Sequence, residues 1–599
     1  MSAPATAGAA EPGQEPASDA RLPLSIKIAY GAPNFAGAAM AIPIAVHLSI
    51  FYSDVVLVPL GFIALAKAVA RAFDALTDPI MGWVSDRTRT SWGRRRPWIA
   101  LGAPLAAVAF VAMFSPPEGI TPLMGGLWLA TTYILYYVFH TIYAIPHYGL
   151  GPELTTDYKE RSTLFGWEQG FSVLGTMVAA GLPALLIASL GDRRAYTTFA
   201  ALFAVVLVVL YGHLVWRIRE RPDFANRPPN PLVPGVRRVL RNRVYRILLA
   251  VYVIGATTGA IPGTLMPFYT TYVLQPEEPA RWIGVYLAAY FGAGFLFLPF
   301  WVLAARRFGK KPVWLASFVT GVSGSATLFL IGPGQLWLAF WVLVWAGASF
   351  GARLFLGPAI QADVIDYDEL HTGKRREAQY GSLWSVVTKF TVIPSMSIPL
   401  AVLATLGYEP NVEQSETVKF AIRAIFGLLP AATGLVAFVV ACFYPISESV
   451  HRRIWEGIAQ HKRGEAALDP VTGRRIPPPA DRGVDEDSGW FLDHFSPGEI
   501  RRALSRGPGS PLRDAVAWLG FCVLLTIASV WATLAEVGSL ESPPGIGAVL
   551  SIVVAGFSFT AACFHAIRIR AARRLRARPL PDEILRAHLG DDRMRRGTT

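Results

Sequence analysis

From residue 25 onward the chain alternates long apolar runs with short charged stretches. WIALGAPLAAVAFVAMF, YTTFAALFAVVLVVLYGHLVW and IRAIFGLLPAATGLVAFVVACF are three of these runs. Each is long enough to cross about 30 Å of hydrocarbon as a helix. The pattern predicts twelve spans near 25–52, 56–85, 97–114, 122–150, 163–190, 196–217, 246–273, 282–304, 312–331, 336–361, 380–405 and 418–444. Two more apolar runs, AVAWLGFCVLLTIASVWATLAEV and GIGAVLSIVVAGFSFTAACFHAI, follow a polar stretch and predict an added hairpin within 513–568. A peripheral hairpin that does not fully cross is the alternative there.

The polar stretches set the organisation. Residues 1–24 are acidic and rich in Ala and Pro, without the basic start and apolar core of a signal peptide, and read as a disordered tail. A six-helix bundle over 25–217 is joined by a Pro- and Arg-rich loop, 218–245, to a second over 246–444. A cytosolic segment at 445–512, the hairpin and a basic tail at 569–599 complete the chain, with HRRIWEGIAQHKRGEAAL able to form a surface helix. SDRTRTSWGRRRP, DYKERS, ARRFGKKP and DYDELHTGKRREAQ are basic or densely charged and alternate with SPPEGIT, LQPEEPAR, GPGQ and GYEPNVEQSET. Positive charge is retained on the cytosolic side, so the first set and both termini are expected there, with GDRRAY a small exception. GRRRPW at 93–98 recurs as GKKPVW at 309–314, each between the second and third helix of its half. Paired six-helix halves of this kind describe the major facilitator architecture. The expectation is an all-α polytopic membrane protein of that fold, two six-helix halves with two extra C-terminal transmembrane helices, working as a monomer in an inner membrane.

Composition agrees with a membrane chain. Of 599 residues 53% are hydrophobic and 16% charged, with a mean hydropathy of +0.40. The net charge of +13 lies in short loops beside apolar runs, which argues against a nucleic-acid partner. Cys442, Cys522 and Cys563 fall inside apolar runs without metal-ligand spacing. No nucleophile–base pair, metal cluster or phosphate loop is evident, so neither an enzyme nor a bound cofactor is expected.

Charges inside the second span carry the candidate chemistry. Lys67, Arg71, Asp74 and Asp78 stand at i, i+4, i+7 and i+11, on one helix face. At about 1.5 Å per residue, Asp78 lies roughly 10 Å and Asp74 roughly 16 Å from the cytosolic end. Ionisable groups at that depth must pair or face water. Lys389, the only Lys or Arg in its apolar run, is the expected partner. Two carboxylates four residues apart suit a small hard cation, or their repulsion raises one toward proton carriage. A static salt-bridge network between the halves is the alternative.

The run D-x-x-x-D-P-x-x-G-x-x-x-D-R-T-x-x-x-x-G-R-R-R-P-W from Asp74 to Trp98 resembles the signature of the glycoside–pentoside–hexuronide:cation symporters, the melibiose permease group. YAIPHYGLGPELTTDYKERS and ADVIDYDELHTGKRREAQYGSLWSVVTKF also match, so the likeness spans residues 25–445 and leaves the hairpin outside. It implies Na⁺- or H⁺-coupled symport of a small sugar-like solute, with Asp74, Asp78, Thr77 and Thr141 holding the cation and Lys389 and Arg71 in coupling. Thr77 stands where the family usually has asparagine. Ala38, Ala144, Tyr148 and Gln169 occupy positions where galactoside carriers keep two aspartates, a tryptophan and an arginine. The coupling half of the machinery is therefore expected to be kept and the galactoside-reading half lost.

Lys67, with Arg71 and Lys389, places three cations against two acids, and His147, Tyr148 and Gln169 add polar groups. If all face the cavity, an anionic solute such as a uronide balances the charge; snorkelling of Lys67 toward the periplasm is the alternative. Arg353 is expected to snorkel toward the cytosol, and His47, His140 and Glu168 to be satisfied polar residues. Gly82, Asp86, Arg87, Arg94 and Arg95 match the facilitator loop motif and read as a cytosolic gate, Gly82 through close helix approach. Asp157, Glu160 and Arg161 with Asp366, Asp368 and Arg375 are expected to add pairs between the halves there. An amphiphile carrier of the lysolipid kind and a non-transporting sensor are the other readings.

Overall fold

The structure, a computed structural model, describes residues 21–155, 158–220, 232–374, 376–478, 491–538 and 544–596. In the first half, helices α1 (Leu24–Val55), α2 (Leu60–Arg87), α3 (Arg96–Met113), α4 (Pro122–Leu154), α5 (Tyr158–Leu190) and α6 (Asp192–Arg217) follow one another through short turns. A shorter helix, α7 (Leu232–Arg241), precedes the second set: α8 (Arg243–Leu274), α9 (Pro279–Phe308), α10 (Lys310–Leu330), α11 (Leu336–Thr372), α12 (Glu377–Thr405) and α13 (Glu416–Cys442). Beyond them lie α14 (Glu448–Lys462), a two-stranded antiparallel hairpin of β1 (Ala467–Leu468) and β2 (Arg475–Ile476), α15 (Pro497–Arg506), α16 (Ser510–Gly538), α17 (Ile546–Ala577) and α18 (Asp582–Arg596).

Among the described residues thirteen helices are long and apolar enough to cross a membrane. The long α2 falls outside that group because it carries Lys67, Arg71, Asp74, Asp78, Asp86 and Arg87. Large apolar side chains such as Leu296, Leu330, Phe443 and Trp531 lie on the outside of the bundle, as surfaces that meet lipid rather than water do. Small residues let helices close on each other. A β-carbon at Gly351 of α11 would stand 2.1 Å from the Gly294 carbonyl oxygen of α9.

Local sequence explains where elements start. Thr121 accepts from the Met124 amide, with Pro122 at the first helical position of α4. Asn242 Oδ1 accepts from the Val244 and Tyr245 amides at 3.0 and 3.2 Å, separating α7 from α8. Ser496 and Glu499 form a reciprocal cap on α15. Two expectations change. The stretch read as the 218–245 loop contains α7, whose arginines Arg238 and Arg241 are buried. The stretch read as a basic tail is helical, through the end of α17 and then α18. Both had too many arginines to look like buried helices until their acidic partners were in place.

Candidate functional site: a buried carboxylate–lysine centre

Helix α2 packs beside α4 and α12, which brings its charged stripe against the other half. Lys389 of α12 places its ammonium 2.7 Å from Asp74 Oδ1 and 2.5 Å from Asp78 Oδ2. Arg71 donates to the other Asp74 oxygen at 3.1 Å and lies 4.6 Å over the Tyr137 ring. Thr141 of α4 donates to Asp78 at 3.0 Å, and Thr77 to Thr141 at 3.2 Å. One oxygen of each carboxylate thus holds the ammonium, while Arg71 takes the second oxygen of Asp74 and Thr141 the second of Asp78. Asp74 is only 1% exposed, so both signs of charge must be matched locally.

Lys67 is fully buried and donates to Ser49 at 2.6 Å. Among the described residues that hydroxyl is its hydrogen-bond partner, and the ammonium does not snorkel outward. Formally, three cations (Lys67, Arg71, Lys389) face two carboxylates (Asp74, Asp78), an excess of one positive charge. Tyr148 and Gln169 are exposed, and among the described residues no hydrogen bond ties either to this centre. His147 is drawn elsewhere: its Nε2 bonds the Tyr30 carbonyl at 3.0 Å and its Nδ1 the Tyr211 hydroxyl at 3.2 Å. It holds α1, α4 and α6 together instead of offering a polar group to the cavity. His47 is similarly bonded to Tyr196 at 3.0 Å. Arg353 donates to Ser349 and Tyr290, both at 3.1 Å.

At the arginine-rich end the loop motif is built inside the first half. Arg94 and Arg95 grip Glu153 at the end of α4, Arg95 at 2.8 Å, and Arg95 also reaches Asp86 at 3.3 Å. Glu220 accepts the Arg94, Arg95 and Arg96 backbone amides at 2.9, 2.8 and 2.9 Å. Those amides open α3, so Glu220 takes the helix N-terminus. Gly93, at φ +111°, makes the approach possible: a β-carbon there would stand 2.5 Å from the Glu220 carboxylate. Arg87 stays on its own helix, over the Trp83 ring at 4.3 Å. Gly82 does not mark a close approach, since an added β-carbon would meet only Ile145 at 3.8 Å.

The second half repeats the device. Gly309, also at positive φ, precedes α10, and Lys310 bonds Asp363 on α11 at 2.5 Å. Asp363, Asp366 and His451 bring three possible metal-ligand atoms within 4.8 Å. The Lys310 ammonium already occupies that group, and His451 bonds Asp366 at 2.9 Å. Among the described residues the charged groups of this end also make contacts within each half. Arg161 donates to the Pro152 and Thr155 carbonyls, Glu160 holds Lys27 at 2.8 Å, and Asp368 faces Arg376 at 3.7 Å, each within one half. Asp157 and Arg375 lie outside the described residues.

At the opposite end the halves do meet. Asp54, closing α1, accepts from Tyr272 of α8 at 2.5 Å and from Tyr408 at 2.7 Å. The Asn411 side chain donates to the Asp54 carbonyl at 2.8 Å, and the Tyr408 and Tyr272 hydroxyls lie 3.1 Å apart. Glu153, Glu220 and this Asp54 cluster escaped sequence reasoning. Their signals were an acid closing an apolar run and an acid beside an arginine pair.

The family model described as MFS/sugar transport protein matches residues 29–448. An uncharacterised symporter of Synechocystis, sll1374, is 24% identical over 72% of this chain and 96% of its own length. A putative 2,3-dihydroxypropane-1-sulfonate exporter of Escherichia coli is 27% identical over 74% of this chain and 97% of its own. Among solved structures, a bacterial homologue of the human lysosomal transporter Spinster, inward-facing and unoccupied, aligns with a TM-score of 0.52 at 14% identity. It covers 73% of this chain and 97% of that one. Fold, centre and relatives converge: the chain belongs to the MFS/sugar transport protein family and is an integral membrane transporter of the major facilitator fold, not an enzyme.

Proposed function

We propose that the protein couples the downhill movement of Na⁺ or H⁺ to symport of a small, sugar-like organic anion, by alternating access. The observation that carries this reading is the shared seat of Lys389 between Asp74 and Asp78. A cation entering among Asp74, Asp78, Thr77 and Thr141 competes with the ammonium for the same oxygens. Once displaced, Lys389 joins Lys67 and Arg71 in needing an anion. A carboxylate, sulfonate or phosphate on the solute meets that need, so ion and solute load together. The named substrate of the Escherichia coli relative, a sulfonate, is of this chemical kind. Ala38 and Ala144 offer no carboxylates to bind neutral hydroxyls, which weighs against a galactoside. The arginine-rich end is taken as cytosolic, and the Asp54 cluster as the closed outer gate of an inward-facing state.

Uptake into proteoliposomes under imposed Na⁺ or H⁺ gradients tests the reading, with uronides, sulfonated sugars, neutral galactosides and lysolipids as candidates. An anionic sugar derivative is expected to be preferred, and Lys67→Met to weaken its apparent affinity at least tenfold. Neutral galactosides as the best substrates would overturn the proposal.

A further inference from the structure

Helices α16 and α17 lie outside the region matched by the family model, and α17, with α16 packed on it, lies along the seam where α2 of the first half meets α12 of the second. At the outer end, a β-carbon on Gly61 of α2 would stand 2.0 Å from the Pro544 carbonyl oxygen. The next residue, Gly545, faces Thr405 of α12, 3.8 Å from where its own β-carbon would be. Glu536 pins this turn by accepting the Gly545 amide at 2.7 Å. Midway, Gly556 of α17 touches both halves at once: its β-carbon would lie 3.6 Å from Ala72 and 4.0 Å from the Phe390 ring. Phe557 packs on Phe390 with ring centroids 4.9 Å apart. Ala72 follows Arg71 and Phe390 follows Lys389, so this contact backs directly onto the charged centre.

At the arginine-rich end the extension is held by buried charge. Asp493 pairs with Arg238, with Arg241 at 2.5 Å and with His588 at 3.4 Å, which ties it to α7 and α18. Glu499 pairs with Arg568 of α17 and lies 3.6 Å from Arg237 of α7. The contacts on α2 and α12 therefore run from the outer end to the level of the charged centre, and beyond that the extension is held to α7.

We infer that the α16–α17 hairpin seals the α2/α12 seam against the bilayer, so that solute reaches the charged centre from water and not from the hydrocarbon. The inference deepens the transport reading and rests on it for its consequence: a polar solute is compatible with a sealed seam, whereas an amphiphile entering sideways at this seam is blocked. It also gives the small residues Gly61, Ala72 and Gly556 one purpose, close apposition of a third helix on a mobile joint.

The test reads access without transport. In full-length protein with Cys442, Cys522 and Cys563 replaced by alanine, Ala72→Cys is exposed to a long-chain maleimide dissolved in the liposome lipid. Val108→Cys, at a position 69% exposed on α3, serves as the reference. The thiol at position 72 is expected to label at least tenfold more slowly than the thiol at position 108. Added to Ala72→Cys, the wedges Gly61→Leu and Gly556→Phe should each raise its labelling rate at least fivefold. Gly520→Phe, where an added β-carbon meets nothing within 4 Å, should leave that rate unchanged. Equal labelling at positions 72 and 108, or no response to either wedge in folded protein, would overturn the seal. Should both wedged proteins fail to fold, oxidation of the double variant Ala72→Cys, Gly556→Cys decides: a disulfide supports the seal and its absence refutes it. Because labelling needs no substrate, a wrong solute assignment would leave this result standing.

Discussion

Lys389 neutralises Asp74 and Asp78 together, so the three side chains behave as one unit. Lys389→Met leaves the buried Asp74 and the half-buried Asp78 without their shared cation and should cost on the order of 3 kcal/mol, read as a lower melting temperature in detergent. Adding Asp78→Asn should recover part of that loss, because the pair is coupled; strictly additive losses would contradict the shared seat. The charged stripe was legible from spacing alone, since a helix places Lys67, Arg71, Asp74 and Asp78 on one face wherever it packs. Partners of single residues were not. Ser49 for Lys67, and Tyr30 and Tyr211 for His147, come from other helices, and nothing local in the sequence selects them.

Among the elements, α15 and α18 depend on α7 through Asp493, whose carboxyl lies well below the usual carboxylate range. Burial opposes that shift, and His588, Arg241 and Arg238 outweigh it. Asp493→Asn removes the anion from buried arginines and should cost about 3 kcal/mol locally, seen as faster amide exchange in α15 and α18. Unchanged exchange there would contradict the docking. The β1–β2 hairpin is anchored by Asp469, where burial is outweighed by bonds from His371, Thr472 and the Val471 amide, holding the carboxyl at about 2. A depressed carboxylate stabilises fully above its unfolded value, about 4, and loses that contribution as pH falls through about 2. Pepsin should therefore spare the hairpin at pH 4 and cut it increasingly toward pH 2, while Asp469→Asn should be cut already at pH 4. The long helices were readable because lipid demands long apolar runs. Helices α7 and α18 were hidden because their burial rests on paired charge, which in sequence looks like a solvated tail.

For the whole molecule, the proposed alternating access requires two ends and a centre to work in sequence. The Asp54 cluster joins the halves opposite the arginine-rich end, whereas Arg94, Arg95 and Glu153 brace the first half internally. Asp54→Asn keeps the shape but weakens two charge-assisted bonds. It should raise outer-side labelling of a cysteine placed at Ser49 severalfold, and unchanged labelling would show that the cluster does not gate. The loop motif showed where one end lies; the Asp54 cluster at the other was missed because Tyr272 and Tyr408 are ordinary span-end tyrosines until folding brings them to Asp54.

In the proposed mechanism Asp78 helps seat the coupling ion. The most direct test compares gradient-driven uptake with exchange at equal ion and solute on both sides, in wild type and Asp78→Asn reconstituted at equal amounts. Asp78→Asn is expected to lose gradient-driven accumulation by at least a factor of ten while still binding solute. Accumulation at the wild-type level in Asp78→Asn would contradict that role.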